Sequence, residues 1–432
     1  MFDMANEMTY KDIFKDRQYR KILFSNLINR FGDSIDAIAF TWLIYQITQS
    51  ASWAALIYGL NRLPNIVLQP FLGPIVEKTD KKKVIVSSHI IRGITIAVFA
   101  FMYIAGMVTP YILTAFTILI TTIESFNLPA STAIIPLVVK KEKLAHAISL
   151  NSCLSNVATL IGTGLSGVIL ANLGVQFAML VDVSTFFLAA LIILPLKTNQ
   201  SSADSNAPKA AEQNSYFSLL KDGIKYLLGN HIIMNICFIA LLMNFFLVPL
   251  NALEAPIAEE IYGLGSGILS VMGMAGAIGG IFGAVIIPKI IAKLSVKKVL
   301  VYGGSAMGIF MFILSLGGYF KGMLVPGYLL AGISFFMMAT AASVLNGTID
   351  IQFGKNCEKE YLARVGSVIG AISITAMPIG SFIISFLSIN ISTSVLLASY
   401  GIMFTILMIL VFISNMDFET KEKDVENETK TI

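Results

Sequence analysis

Gly73-Pro74-Ile75-Val76-Glu77-Lys78-Thr79-Asp80-Lys81-Lys82-Lys83 separates an apolar run ending at Val76 from another starting at Val84. Four lysines and two carboxylates within residues 77–83 are too costly to place in hydrocarbon, so the stretch reads as a turn at a membrane surface between two spans. The pattern returns 215 positions later, where Lys293, Lys297, Lys298 and Val299 repeat Lys78, Lys82, Lys83 and Val84. A second correspondence runs at an offset of 218, from Leu144, Ala145 and Ser149 to Leu362, Ala363 and Ser367. An offset of about half the 432 residues, in the same orientation, is the trace of a duplicated unit.

Outward from that loop, apolar windows of about 20 residues, the length that crosses about 30 Å of hydrocarbon as helix, can be placed twelve times. They fall near 20–47, 52–76, 84–105, 109–135, 145–171, 175–196, 231–254, 264–290, 298–319, 324–349, 362–388 and 392–415. No signal-peptide cleavage pattern precedes the first, which reads as a retained span from Arg20. Between spans six and seven the composition shifts to the small, polar stretch Thr198 to Ser215, a flexible linker. Tyr216 to Leu228 then places Leu219, Leu220, Ile224 and Leu227 apart from Lys221 and Lys225, the pattern of a short helix at the membrane surface. The expectation is an all-α membrane protein of twelve transmembrane helices in two six-helix pseudo-symmetric halves. Residues 1–196 form the first half, 197–230 the linker and interfacial helix, 231–415 the second half and 416–432 a tail.

Composition agrees. Hydrophobic residues make up 56% of the chain and charged residues 13%, about half the usual charged share of a soluble protein. The net charge of +4 comes from 30 Lys and Arg spread in small groups along the chain, which argues against a nucleic-acid partner. Cys153, Cys237 and Cys357 are far apart, and the three histidines form no HExxH pattern, so neither a zinc site nor a disulfide framework is expected. No Walker sequence or dinucleotide-binding glycine pattern appears, so no cofactor is expected, ATP is not the energy source, and the protein is not read as an enzyme. With both termini cytoplasmic, the seven cytoplasmic segments and adjoining helix ends hold 26 of the 30 basic residues; Arg30, Arg62 and Arg92 lie within spans and Lys321 in an outer loop.

The loop from Gly73 to Lys83 is similar to the loop signature of the major facilitator superfamily: a glycine, an acidic residue four later, then a basic cluster. It has Glu77 where Asp is usual and Asp80 where Gly is common, the latter familiar in the drug:proton antiporter branch that contains the macrolide efflux proteins. That branch is also resembled by Asn127-Leu128-Pro129-Ala130, by Pro249-Leu250-Asn251-Ala252-Leu253, and by Glu360-Tyr361-Leu362-Ala363-Arg364-Val365 leading to Pro378. The chain departs from the antiporter pattern at Thr163, where a kink proline is expected, and in lacking an arginine in span four, where Thr121, Thr122 and Glu124 stand. The resemblance implies a secondary transporter of the plasma membrane with its site between the halves. It also implies that Glu77 holds the inner face shut by meeting Arg364 and the start of span eleven, with Lys81 and Lys82 in the same relay.

Charges inside spans point to the transport path, because each costs about 2.5–3.5 kcal/mol unless paired, hydrated or functional. Span one carries Arg30, Asp33 and Asp36, and Asn26, Arg30 and Asp33 share a helix face by their spacing. The most economical pairing is Asp33 with Arg30, leaving Asp36 freer to titrate; a static pair that fixes packing is the bland alternative. Glu124 in span four and Arg92 in span three form either a structural pair or a proton relay. Arg62, flanked by Asn61, interrupts span two and can neutralise Asp33 or Asp36, or bind an anion. Asp182 reads as lying near the outer end of span six, interfacial or structural rather than functional. Asn244 and Asn251, seven apart on span seven, contact substrate or glue helices together, and Trp42 is among the large side chains suited to a broad apolar pocket. Gly162, Gly164 and Gly167 thin span five, and Gly276 with Gly280, like Gly279 with Gly283, has the GxxxG spacing of close helix contact.

These readings lead to a monomeric transporter that exports a hydrophobic or amphipathic compound, of the macrolide kind, in exchange for protons. Two alternatives stay open: a flippase for lysophospholipid or another lipid, and a siderophore or metabolite exporter.

Overall fold

The computed structural model describes residues 13–77, 79–139, 143–197, 216–358 and 361–418, all of them in helices and short connections. Helices α1 (Arg17–Thr48), α2 (Ala51–Glu77), α3 (Lys81–Ile104) and α4 (Pro110–Val138) are followed by one helical stretch, Leu144–Ile193. That stretch is two helices, α5 (144–173) and α6 (175–193), because Gly174 breaks it with φ 80° and ψ 173°, a conformation that a side chain would oppose. Helix α7 (Tyr216–Gly229) precedes α8 (His231–Ala252), α9 (Gly267–Ile291), α10 (Val296–Ser315), α11 (Leu324–Asn356), α12 (Leu362–Leu387) and α13 (Thr393–Ile413).

Several helices begin on a side chain that satisfies their first free N–H groups. Asp16 accepts from the amides of Gln18 (2.8 Å) and Tyr19 (3.2 Å), and Asn230 from those of Ile232 and Ile233 (both 3.1 Å). Asp80 does the same for α3, accepting from Lys82 (3.0 Å) and Lys83 (3.3 Å), so the acid found in place of the common glycine is a helix cap. Among the described residues nine helical stretches are long and apolar enough to cross a membrane, the α5–α6 stretch counting once. Helices α1 and α2, of 32 and 27 residues, have the length and are more polar. Large apolar side chains such as Phe101, Val285 and Ile413 point outward from the helices, as lipid-facing residues do.

The chain divides into two compact units, residues 1–49 with 60–208 and residues 50–59 with 209–432. In the first, α1 packs chiefly against α5 and α6. Two glycines permit this approach: a Cβ on Gly162 would lie 2.7 Å from the Phe31 carbonyl, and one on Gly32 would lie 2.8 Å from Asp182 Oδ1 and overlap the Thr185 hydroxyl.

In the second unit α9 packs on α11 through Gly279 and Gly283, where added methyl groups would overlap the Phe336 and Thr340 carbonyls. The Thr340 hydroxyl reinforces the contact by donating to the Gly279 carbonyl at 3.0 Å. Of the two GxxxG spacings, then, the expected Gly276 and Gly280 are not the tight pair: Phe335 lies 4.0 Å from a Cβ on Gly276, and nothing lies within 4 Å of one on Gly280. They lie about 60° around α9 from the tight pair, at the margin of the contact. Pro378 lies inside α12 without ending it.

Span seven is shorter than its apolar run suggests. Helix α8 stops at Ala252, and residues 253–266 form a separate segment with a π-helical turn at Ile257–Ile261. This segment is anchored within the second unit. Tyr262 is fully buried against Gly317 and donates to the Leu314 carbonyl at 3.1 Å, while Glu260 accepts from the Thr393 hydroxyl at 2.5 Å. Helix α7 lies against α12, with the Tyr226 ring stacked on Tyr361 at 4.4 Å and Leu227 packed beside Val365 and Val368. Its Ile224 and Leu228 remain exposed, as an interfacial helix requires.

Candidate functional site

Within the first unit, α1, α3, α4 and α5 enclose a cavity of about 560 Å³, inside the range of about 300–1,000 Å³ usual for small-molecule sites. Its wall brings together Asn26, Arg30, Asp33, Arg92 and Glu124, all singled out in the sequence. The wall mixes amides and hydroxyls with the apolar side chains of Leu128, Ile135 and Ile148. Asn151, Ser155 and Thr159 of α5 form a stripe at spacing four, and Asn127 and Ser131 of α4 are joined by a 3.1 Å hydrogen bond. Asn26 donates to the Asn151 side-chain oxygen at 3.1 Å, linking α1 to α5.

The charged centre differs from the sequence expectation. Asp33 pairs not with Arg30 but with Arg92 of α3, Nη2 to Oδ1 at 3.0 Å, and its second oxygen accepts from Asn29 Nδ2 at 2.7 Å. Asn29, one turn before Asp33, and the cross-helix guanidinium together occupy both carboxylate oxygens, while Arg30 is exposed at the cavity. Arg92 is only 4% exposed, and its guanidinium lies 4.3 Å above the Phe186 ring of α6, a contact that adds to the ion pair where water is excluded.

Arg92 is the centre of a larger set of charges. Asp33, Glu124, Asp182 and Asp36 all act on it electrostatically, so one buried guanidinium faces four carboxyl groups. His89, buried one turn before Arg92, completes the group at 6.0 Å from Phe186. Asp182 lies two turns inside α6 and is fully buried against α1, in keeping with the structural alternative of the sequence reading. Its Oδ2, the Oδ1 of Asp36 and the Nε of Arg92 have no hydrogen-bond partner. Asp36 and Asp182 are not part of the cavity wall.

Sequence reasoning missed Asn29, Asn151, Ser155 and Thr159 as wall residues, although their spacing of four from Asp33 or from one another marks each polar face. No comparable signal identified Asp182, whose importance comes from the helices packed around it. Among the described residues no cluster of His, Cys, Asp and Glu is placed to hold a metal ion.

The model of the Major Facilitator Superfamily matches residues 22–356. The chain belongs to this superfamily. It is therefore a multi-pass membrane transporter, not an enzyme. It is 24% identical to the MFS-type transporter YvqJ of Bacillus subtilis over 391 residues, covering 88% of each chain. It is 23% identical to macrolide efflux protein A of Enterococcus faecalis over 326 residues, covering 74% of this chain and 96% of that one. The solved structure of the nucleoside transporter NupG has the same fold, with a TM-score of 0.72 at 13% identity, over 93% of this chain and all of the other.

The other residues singled out in the superfamily's terms are distributed as follows. In the loop between α2 and α3, Lys78 lies outside the described residues, and for Gly73 and Glu77 the backbone alone is described, at the end of α2. Lys81 and Lys82 form the first turn of α3 behind the Asp80 cap, and the Arg364 guanidinium lies 5.6 Å from the Tyr361 ring. Trp42, Asn61 and Arg62 do not line the cavity; Arg62 is exposed, and the Asn61 side-chain oxygen is buried without a partner. Asn244 and Asn251, in the second unit, donate to carbonyls of their own helix, Ala240 at 2.9 Å and Leu247 at 3.0 Å. One amide hydrogen of each is thus used within α8. Gly162, Gly164 and Gly167 all lie on the uninterrupted part of α5.

Proposed function

We propose that this protein is a secondary active transporter of the plasma membrane, with cytoplasmic termini, that exports amphipathic compounds of the macrolide kind by alternating access in exchange for protons. The observation that carries the reading is the Asp33–Arg92 ion pair in the wall of the first unit's cavity. An ion pair held away from water contributes little stability for its desolvation cost, so its place beside a drug-sized cavity supports a transport role. A substrate ammonium entering beside Asn26 and Asn29 competes with Arg92 for Asp33. A proton on Asp33 or Asp36 removes the charge that holds the guanidinium, and the two events favour different conformational states. Similarity to macrolide efflux protein A supports the substrate class, and the amide and hydroxyl wall suits the polar side of an amphipathic molecule.

The same wall favours a second reading, a siderophore or polar-metabolite exporter, since many hydrogen-bonding groups suit a heavily oxygenated ligand. One experiment separates these. Purified protein in proteoliposomes is given radiolabelled erythromycin, a hydroxamate siderophore and a lysophospholipid, with and without an imposed proton gradient. Gradient-driven erythromycin movement that is lost in the Asp33→Asn, Asp36→Asn double variant supports the proposal. Movement of the siderophore alone replaces the substrate class, lipid movement indifferent to the gradient favours a flippase, and full gradient-driven efflux by the double variant overturns the proton role of these two residues.

A further inference from the structure

The carboxyl most completely shut away from water in the first unit has no part in the function derived so far. Asp182 is 0% exposed, and it faces α1 where Gly32 removes the side chain that would otherwise fill the contact. Its Oδ2 has no partner, and its Oδ1 has only a long 3.5 Å contact with the Thr185 hydroxyl, which already donates to the Asp182 carbonyl at 2.7 Å. An ionised carboxylate so placed would be almost wholly unsolvated, whereas a protonated one is merely polar. Charge counting gives the same answer. From α1 come Asp33 and Asp36 and from α3 Arg92, with His89 and the α4 residue Glu124 around the same guanidinium, so the one guanidinium acting on Asp182 is already bonded to Asp33.

Geometry connects Asp182 to that guanidinium. Phe186, on which Arg92 rests, lies four residues after Asp182 on the same face of α6, and Gly32, against which Asp182 packs, immediately precedes Asp33. Arg92 therefore stands between a carboxylate in the cavity wall and a carboxyl outside it, with its Nε unpartnered.

We propose that Asp182 is a buried proton-binding site that exchanges with Asp33 for Arg92. When the guanidinium leaves Asp33 for Asp182, the proton given up by Asp182 is bound by Asp33. One N–H···O ion pair breaks and another forms, one O–H bond breaks and another forms, and the net charge of the chamber is unchanged. The proton then sits at the cavity wall, on the residue that substrate reaches, whereas Asp182 itself never contacts substrate. This rests on the proton-exchange reading above for its use in transport, but the protonation of Asp182 and the handover are testable without any substrate.

The test is infrared difference spectroscopy of the full chain in liposomes, titrated with pH in light and heavy water. The expected result is a protonated-carboxyl C=O band at pH 7 in the wild type that is absent from Asp182→Asn at the same pH. In Asp33→Asn, where Arg92 is released, the band should survive at low pH, with its midpoint lowered by about one pH unit or more, a tenfold loss of proton affinity. A wild-type band that persists in Asp182→Asn, or no wild-type band, overturns the proton site. An Asp33→Asn midpoint that stays in place or rises overturns the handover. Should Asp182→Asn fail to fold, Asp182→Glu provides the check, because a displaced acid must shift the band rather than leave it unchanged. Failure of gradient-driven efflux with the band intact would remove the transport reading and leave the site standing.

Discussion

The two units treat polar groups inside their helices in opposite ways. In the first, Asn26, Asp33, Arg92 and Asp182 reach across from helix to helix, line or adjoin a cavity, and leave several buried atoms unpartnered. In the second, Asn244 and Asn251 bond to carbonyls of their own helix, Thr340 reinforces a glycine contact, and Glu260 is bound by Thr393. A buried network that is incompletely satisfied is costly and responsive to small changes, whereas a satisfied one fixes geometry. The first unit holds most of the buried, incompletely satisfied polar atoms among the described residues, and the second holds few, Ser334 Oγ among them.

Breaking the first unit's network should have the largest effect. Arg92→Met leaves four carboxyl groups without their central cation and should cost about 3–5 kcal/mol, as removal of one partner of a buried pair does. Transport should be abolished at equal expression, with Arg92→Lys recovering part of the stability. Thermal unfolding in detergent alongside proteoliposome flux measures both, and an unaltered Arg92→Met would erase the contrast.

Next comes a steric pair in the second unit. Gly279→Val should lower stability by about 1–3 kcal/mol, the usual cost of overpacking, because backbone atoms of Phe336 block the new methyl groups. Gly280→Val, one residue along with open space around it, should unfold near the wild-type temperature. Equal effects at the two positions would mean that close packing does not distinguish this face of α9.

A pH effect follows in size. Glu254, in the segment beyond the end of α8, has its carboxyl pushed up to about 7 by burial. Its folded value thus exceeds its unfolded one, so this residue's contribution to stability is complete below about pH 4.5 and is lost as pH rises through about 7. Melting temperatures measured between those values should fall in the wild type relative to Glu254→Gln; parallel curves would refute the assignment.

The smallest effect should come from Asn251→Ala, since one side-chain hydrogen bond within a membrane protein contributes about 0.6 kcal/mol. Its transport should match the wild type, whereas Asn26→Ala, which removes an α1–α5 link in the cavity wall, should slow it several-fold. Equal flux from both variants would blur the division between the units.

Helix positions were legible because apolar runs of sufficient length have one solution in a membrane, and most predicted ends fall within a few residues of the observed ones. The exceptions are informative. Residues 255–263, left between two predicted spans, form a packed segment with a π-helical turn that no periodic pattern marks, held by Tyr262 against Gly317. Helix α11 continues past Asp350 to Asn356 because backbone hydrogen bonding does not stop where hydrophobicity does. Charged residues of the cavity were found because hydrocarbon makes any charge conspicuous. The partner of Asp33 was not, because spacing reveals neighbours along one helix and is silent about neighbours across two.

The single non-helical residue between α5 and α6 has an evolutionary consequence. With no loop to absorb a change in length, an insertion or deletion beside Gly174 turns α6 about its own axis by about 100° per residue relative to α5. Asp182, Thr185 and Phe186 would leave the faces that meet Gly32 and Arg92. Lineages descended from this sequence are therefore held both to a glycine at that turn and to its number of residues, and the chamber's register is inherited as a fixed count.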